Sequence, residues 1–207
     1  MMKRLLMAFV ACLLAACAGG ARKAPPADVY DFGMPVQHLA DVGHWSNLAL
    51  EVKVPYWFDS LAIEYRLLYD DPLKLRSYAG SRWAGAPGLL LAQRLRQQIG
   101  VVGSGGQTAT NCLLRLELQE FSQVFDTPLQ SRGLLRGQAS LLDSRHRIVG
   151  ERRVAVEEPA AGVDARGGVN ALVRASDALA GELAAWLNDQ EKRGTLKSCR
   201  STVAESQ

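Results

Sequence analysis

Histidine is scarce in this chain, with three in 207 residues, and that narrows the chemistry open to it. His38 and His44 share one stretch with Asp41, but no second pair of ligands follows at a recognised metal-site spacing. His146 sits in a charged turn and reads as solvent-facing. No metal site is expected. No Gly-x-Ser-x-Gly elbow is present. Gly103-Ser104-Gly105-Gly106 lacks both the Lys-Ser/Thr pair of a phosphate loop and the glycine that would finish a dinucleotide fingerprint. Residues 103–107 therefore read as a flexible loop. Asp70 and Asp71 precede Pro72 and read as turn formers. The chain offers no convincing catalytic arrangement and calls for no cofactor. Charge of one sign is not in excess either: the formal net charge is +3. The arginines are scattered rather than gathered in a basic stripe, which argues against nucleic acid as a partner. The apolar run at residues 5–16 is shorter than the roughly 20 residues that a spanning helix needs.

That short run is informative for another reason. Lys3 and Arg4 precede it, and Leu14-Ala15-Ala16-Cys17 closes it. A basic start, a short apolar core and small residues at the cut make a secretory signal peptide. The cysteine at the cut resembles the bacterial lipobox, in which Cys17 is acylated on sulfur, freed as the new N-terminus and then N-acylated. The alternative is an ordinary signal peptide with a chance cysteine. Each buried CH₂ contributes roughly 0.8 kcal/mol, so two or more acyl chains hold a protein stably on a membrane. Residues 1–16 are thus expected to be removed, and the net charge drops to +1 when Lys3 and Arg4 leave. Residues 17–27 carry the lipidated Cys17 and a small, Pro-bearing tether. Of four cysteines, Cys12 leaves with the signal. Cys112 and Cys199 remain, either as a disulfide in an oxidising compartment or as two free thiols.

The rest reads as one domain over residues 28–190, followed by a polar tail over 191–207 expected to be disordered. Residues 30–32 form a short strand, and residues 38–46 lack periodicity. Residues 48–54 alternate, with Leu48, Leu50, Val52 and Val54 on one side, and Pro55 ends the run. Residues 62–69 alternate again, and residues 74–78 return after the Asp70-Asp71-Pro72 turn. A helix then starts at Pro87 and stops at Gly100. Three strands follow at residues 112–121, 133–142 and 148–156. A last amphipathic helix spans residues 169–190. The order predicts an α+β fold with a mainly antiparallel sheet in two strand groups, each followed by a helix packed on the sheet.

Two segments concentrate aromatic and arginine residues. The first runs Val54-Pro55-Tyr56-Trp57-Phe58 and on to Tyr65-Arg66; the second is Tyr78 followed by Ser81-Arg82-Trp83-Ala84. Aromatics and Arg recur at interface hot spots because they combine large area with a polar handle. Tyr56, Trp57, Phe58, Arg66, Arg82 and Trp83 are the candidate docking residues. The competing reading places Trp57, Phe58 and Trp83 in the core between sheet and helix.

The same segments carry a family resemblance. The lipobox, Tyr30-x-Phe32-Gly33, Val52-x-Val54-Pro55, Tyr65-Arg66, Tyr78 and Ser81-Arg82-Trp83-Ala84-x-x-Pro87 occur in that order. The pattern resembles the ABC-type transport auxiliary lipoproteins. The resemblance implies a non-catalytic component of an envelope lipid-transport system, working with a mammalian-cell-entry (MCE) domain protein and ABC transporter components. It implies an outer-membrane lipoprotein facing the periplasm, in keeping with Ala18 rather than Asp after the cysteine, and it leaves a homo-oligomer open. The Tyr56-Trp57-Phe58 cluster is more aromatic than a structural turn requires. Two other functions compete: a lipoprotein that binds a lipid or other hydrophobic ligand in its own cavity, and a periplasmic hydrolase, which the missing nucleophile–base pair disfavours.

Overall fold

The structure is a computed structural model, described here over residues 25–41, 44–103 and 111–199. Its spine is strand β6 (Cys112–Thr127), sixteen residues long. Leu114, Leu116 and Leu118 point inward and are fully buried. Strict alternation would next turn Glu120 into the core. A β-bulge between Leu118 and Glu120 resets the phase, so Phe121 goes inward and the charged residue stays out.

One edge of β6 pairs antiparallel with β7 (Gln130–Leu142), which pairs antiparallel with β8 (Ile148–Pro159). The other edge is shared by two strands in succession. β2 (Leu48–Lys53) runs parallel to Cys112–Glu117, and β3 (Ala62–Leu67) runs parallel to Gln123–Phe125. Together they act as one interrupted strand. Pro55, which has no N–H for a ladder, follows β2 where the chain leaves the sheet, and a 3-10 turn at Tyr56–Phe58 fills the gap. β4 (Asp71–Trp83) pairs antiparallel with β3, β1 (Asp28–Tyr30) lies parallel on the end of β4, and β5 (Val102–Gly103) lies parallel on β2.

These eight strands form one sheet, and it is mixed. This corrects the expected antiparallel sheet in two groups. Hairpins join neighbours through a local turn and are written in the sequence. The parallel partners of β6 come from residues some 60 positions away and leave no local mark.

Both helices pack on the inner face. Helix α1 (Pro87–Ile99) has Pro87 in its first turn and ends at Gly100, whose φ of 78° is left-handed and whose N–H donates to Arg96 O. Helix α2 (Ala165–Lys192) starts at Asp164, whose carboxylate accepts from Gly167 N–H at 2.7 Å. It covers β6, β7 and β8, while α1 covers β2 and leans on α2. No helix among the described residues is long and apolar enough to cross a membrane.

Other expectations shift locally. The first strand ends at Tyr30, and Phe32 turns into the core, edge-on to Trp83 at 5.4 Å. β4 is much longer than residues 74–78. Trp45, within the segment that lacks periodicity, is fully buried. Residues 191–199 are folded rather than disordered: the end of α2 at Lys192, a turn, then a 3-10 turn at Lys197–Cys199. Leu196 is buried there, and the Cys199 sulfur is bonded to that of Cys112 at the start of β6. Residues 1–24 with Cys17, residues 104–107 of the glycine-rich loop and residues 200–207 lie outside the described residues.

Candidate docking surface

The six aromatic and arginine candidates separate into surface and core. Phe58 is buried and anchors the 3-10 turn, whose backbone closes through Phe58 N–H to Pro55 O at 2.9 Å and Asp59 N–H to Tyr56 O at 3.2 Å. The anchored turn presents its two other rings outward. Tyr56 is 85% exposed and Trp57 54% exposed, with ring centroids 5.0 Å apart and nearly perpendicular. Trp83 is fully buried among Phe32 and Phe121, so neither it nor Phe58 is available to a partner. Arg66 pairs with Glu120 at 3.3 Å. Arg82 is exposed on β4 and makes no ion pair among the described residues.

The sheet face away from the helices is a charged ladder. Arg115 reaches Glu51 at 2.7 Å across β6 and β2, and Arg132 reaches Glu157 at 3.0 Å across β7 and β8. Four of the scattered arginines, Arg66, Arg115, Arg132 and Arg136, are therefore cross-strand partners. Beside Arg66, Glu64 is half-buried, with one carboxylate oxygen lacking a hydrogen-bond partner. Burial and the neighbouring Glu120 push its pKa up to about 7 against the pull of Arg66.

Two polar groups support the inner face. Tyr78 donates to Gln123 Oε1 at 2.7 Å, and Gln123 Nε2 donates to Ser131 Oγ at 2.8 Å. Burial and the adjacent Tyr65 keep the Tyr78 hydroxyl protonated and able to donate. Between the helices, buried Arg94 forms a fork with Asp177 at 2.7 and 2.8 Å and also donates to Phe32 O and Gly33 O. The sequence counts Arg94 as one more position on a helical face. Only its apolar neighbours Leu91 and Leu95 hint that it is inside.

His44 lies 3.3 Å from Glu191 rather than with a ligand set. Among the described residues no three His, Cys, Asp or Glu side chains are placed to hold a metal.

Comparison with known proteins agrees with this architecture. The family model for an ABC-type transport auxiliary lipoprotein component matches residues 48–184, which include the exposed turn, α1 and most of α2. The solved structure of protein XCC0632 from Xanthomonas campestris, assigned to family model DUF330, superposes with a TM-score of 0.63. It is 18% identical, and the alignment covers 83% of this chain and 96% of that one. An uncharacterized protein aligns with a TM-score of 0.61 at 14% identity, covering 79% of this chain and 99% of that one. At these identities the likeness is one of fold. No curated protein matches the sequence.

Proposed function

The chain belongs to the family of ABC-type transport auxiliary lipoprotein components, and from that premise we propose that it is a non-catalytic, lipid-anchored adaptor of an envelope lipid-transport system. Acylated Cys17 holds it on the outer membrane, facing the periplasm, with Ala18 in keeping with that destination. Its partner is an MCE-domain protein, which it docks for the ABC transporter. The observation that carries this reading is the Tyr56–Trp57 pair. A soluble turn gains nothing by exposing two large rings, whereas a hydrogen-bonded turn anchored by Phe58 offers them without an ordering cost on binding.

A ligand-binding cavity is less well supported. The space between sheet and helices is filled by Leu114, Leu135, Leu172 and Leu183, all fully buried. The cleft beside α1 is small and bordered by Asp31, Gln93, Arg94 and Gln97. The larger hollow, about 530 Å³, opens to solvent and is lined by His38, Leu39, Asp41, His44 and Asn188 rather than by a continuous apolar wall.

Trp57→Ala removes exposed area and leaves Phe58 in place. The variant is expected to keep its circular dichroism and melting temperature yet lose co-purification with the MCE-domain protein. Undiminished co-purification, or unfolding of the variant, would overturn the assignment of this turn.

A further inference from the structure

The two ends of the sheet differ. At one end the β7–β8 connection is Asp143-Ser144-Arg145-His146-Arg147, wholly polar, with Arg147 paired to Asp143 at 2.7 Å. At the other end two hairpin tips lie side by side. The β3–β4 tip holds Leu68, Tyr69 and Leu73, and the β6–β7 tip holds Leu129. Leu68 N–H donates to Phe125 O at 2.9 Å and ties the two together. Leu73 is 89% exposed and Leu129 83% exposed. The β8–α2 connection reaches the same end through Ala160 N–H to Ser131 O and adds exposed Val163.

Both tips are built rather than loose. Asp71 Oδ1 accepts from Leu73 N–H at 3.0 Å, and Thr127 Oγ1 accepts from Leu129 N–H at 3.3 Å. The carboxylates behind them are matched: Asp70 pairs with Arg76, and Asp126 with Arg132. Aliphatic side chains with a tyrosine, on rigid turns whose Asp70 and Asp126 are paired and whose exposed Asp71 caps Leu73 N–H, suit the boundary between lipid headgroups and acyl chains.

The direction of β1 says which bilayer that is. β1 is parallel to β4, with Asp28 opposite Ser81 and Tyr30 opposite Trp83. β4 begins at the apolar tip, so the N-terminal end of β1 points toward the tip, and the free edge of β4 lies ahead of it. From Ser81 back to Leu73 that edge measures at most about 27 Å. The segment from Asp28 back to Cys17 extends to at most about 40 Å, enough to carry an anchored Cys17 to the level of the tips.

We infer that the Leu68–Leu73 and Leu129 tips rest in the interface of the bilayer that holds the Cys17 anchor, setting the domain upright on it. This rests on Cys17 being acylated. An upright domain holds the polar end and the Tyr56–Trp57 turn away from the membrane, where a partner arriving from the periplasm meets them.

The test uses the full lipidated protein in vesicles of phosphatidylethanolamine and phosphatidylglycerol with part of the acyl chains brominated. Leu73→Trp, Leu129→Trp and Ile148→Trp place a reporter on either tip or on the opposite end, where Ile148 is 58% exposed. Emission is compared with that of the parent, and the mass of the N-terminal peptide reports acylation. The two tip variants are expected to lose emission to the brominated lipid, and Ile148→Trp to match the parent. Tip variants quenched no more than Ile148→Trp, on a protein whose Cys17 carries its acyl mass, would overturn the orientation and leave the anchor standing. A Cys17 peptide without acyl mass, on protein that fails to float with vesicles, would overturn both. Tip emission already shielded in detergent micelles, and dependent on protein concentration, would assign the tips to a second copy of the chain instead.

Discussion

A carboxyl group half-buried beside a second carboxylate holds its proton longer than one in water, and Glu64 sits in that position against Glu120. Its pKa is pushed up to about 7 in the folded chain from 4.5. Between those values the native state binds more protons than the unfolded one, so stability falls as pH rises through that window. Partial solvation screens the effect to on the order of 1 kcal/mol. Glu64→Gln is expected to be more stable than the parent at pH 8 by about that amount and equal to it near pH 5, by urea unfolding at both pH values. Arg94 makes the opposite case. It is buried, and Asp177 is partly solvated. Removing the carboxylate leaves a cation inside and also deprives Gln98 Nε2 of its acceptor. Asp177→Ala should cost about 3 kcal/mol, and replacing both partners with apolar residues should cost less. The same unfolding curves check both.

At the scale of elements, close approach of helix to sheet depends on two glycines. A Cβ on Gly133 of β7 would sit 2.7 Å from the backbone of Ala171 and Leu172 on α2, and one on Gly168 of α2 would meet Gln123 Oε1 at 2.1 Å. The first obstacle is backbone and cannot swing away. Gly133→Ala is expected to lower stability by about 2–3 kcal/mol, a fall on the order of 5–10 °C in melting temperature for a chain of this length. Gly181 lies in the same helix with nothing near its Cβ position. Gly181→Ala should raise stability by up to about 1 kcal/mol. Calorimetry of the two variants separates a packing requirement from a merely tolerated glycine.

Across the whole molecule, the bond between Cys112 and Cys199 spans 87 residues and ties the end of the chain to the start of β6. Closing a loop of that length restricts the unfolded chain by about 4.6 kcal/mol. Reduction should lower the urea midpoint accordingly and slow migration on a denaturing gel. Two alkylatable thiols in protein purified without reductant would show that the bond does not form. The apolar tips, the polar far end and the turn between β2 and β3 then give the molecule an axis, which the proposed orientation reads as membrane at one end and partner along the side.

Much of this was legible in local pattern. Although α2 starts four residues earlier and ends two later than its apolar spacing alone predicts, both helices follow from periodicity and backbone preference, with Pro87 and Gly100 punctuating α1. So do the alternation in β2, β3 and β6 and the Asp70-Asp71-Pro72 and Asp143–Arg147 turns. The aromatic turn was legible as composition, and the lipobox as a motif. Periodicity reports which side of an element is apolar, not what covers it. The parallel seating of β2 and β3 on β6, the burial of Trp83 and Phe58 beside exposed Tyr56 and Trp57, and the Arg94–Asp177 fork each join residues far apart in sequence. Leu73 and Leu129 fall between the expected strands, and only the hairpins show that they stand exposed at one end of the sheet. The sequence by itself determined the elements and the class of protein, because those depend on neighbours along the chain. Only tertiary structure decided which aromatics reach the surface and which end carries exposed leucines, because those depend on which distant strands meet.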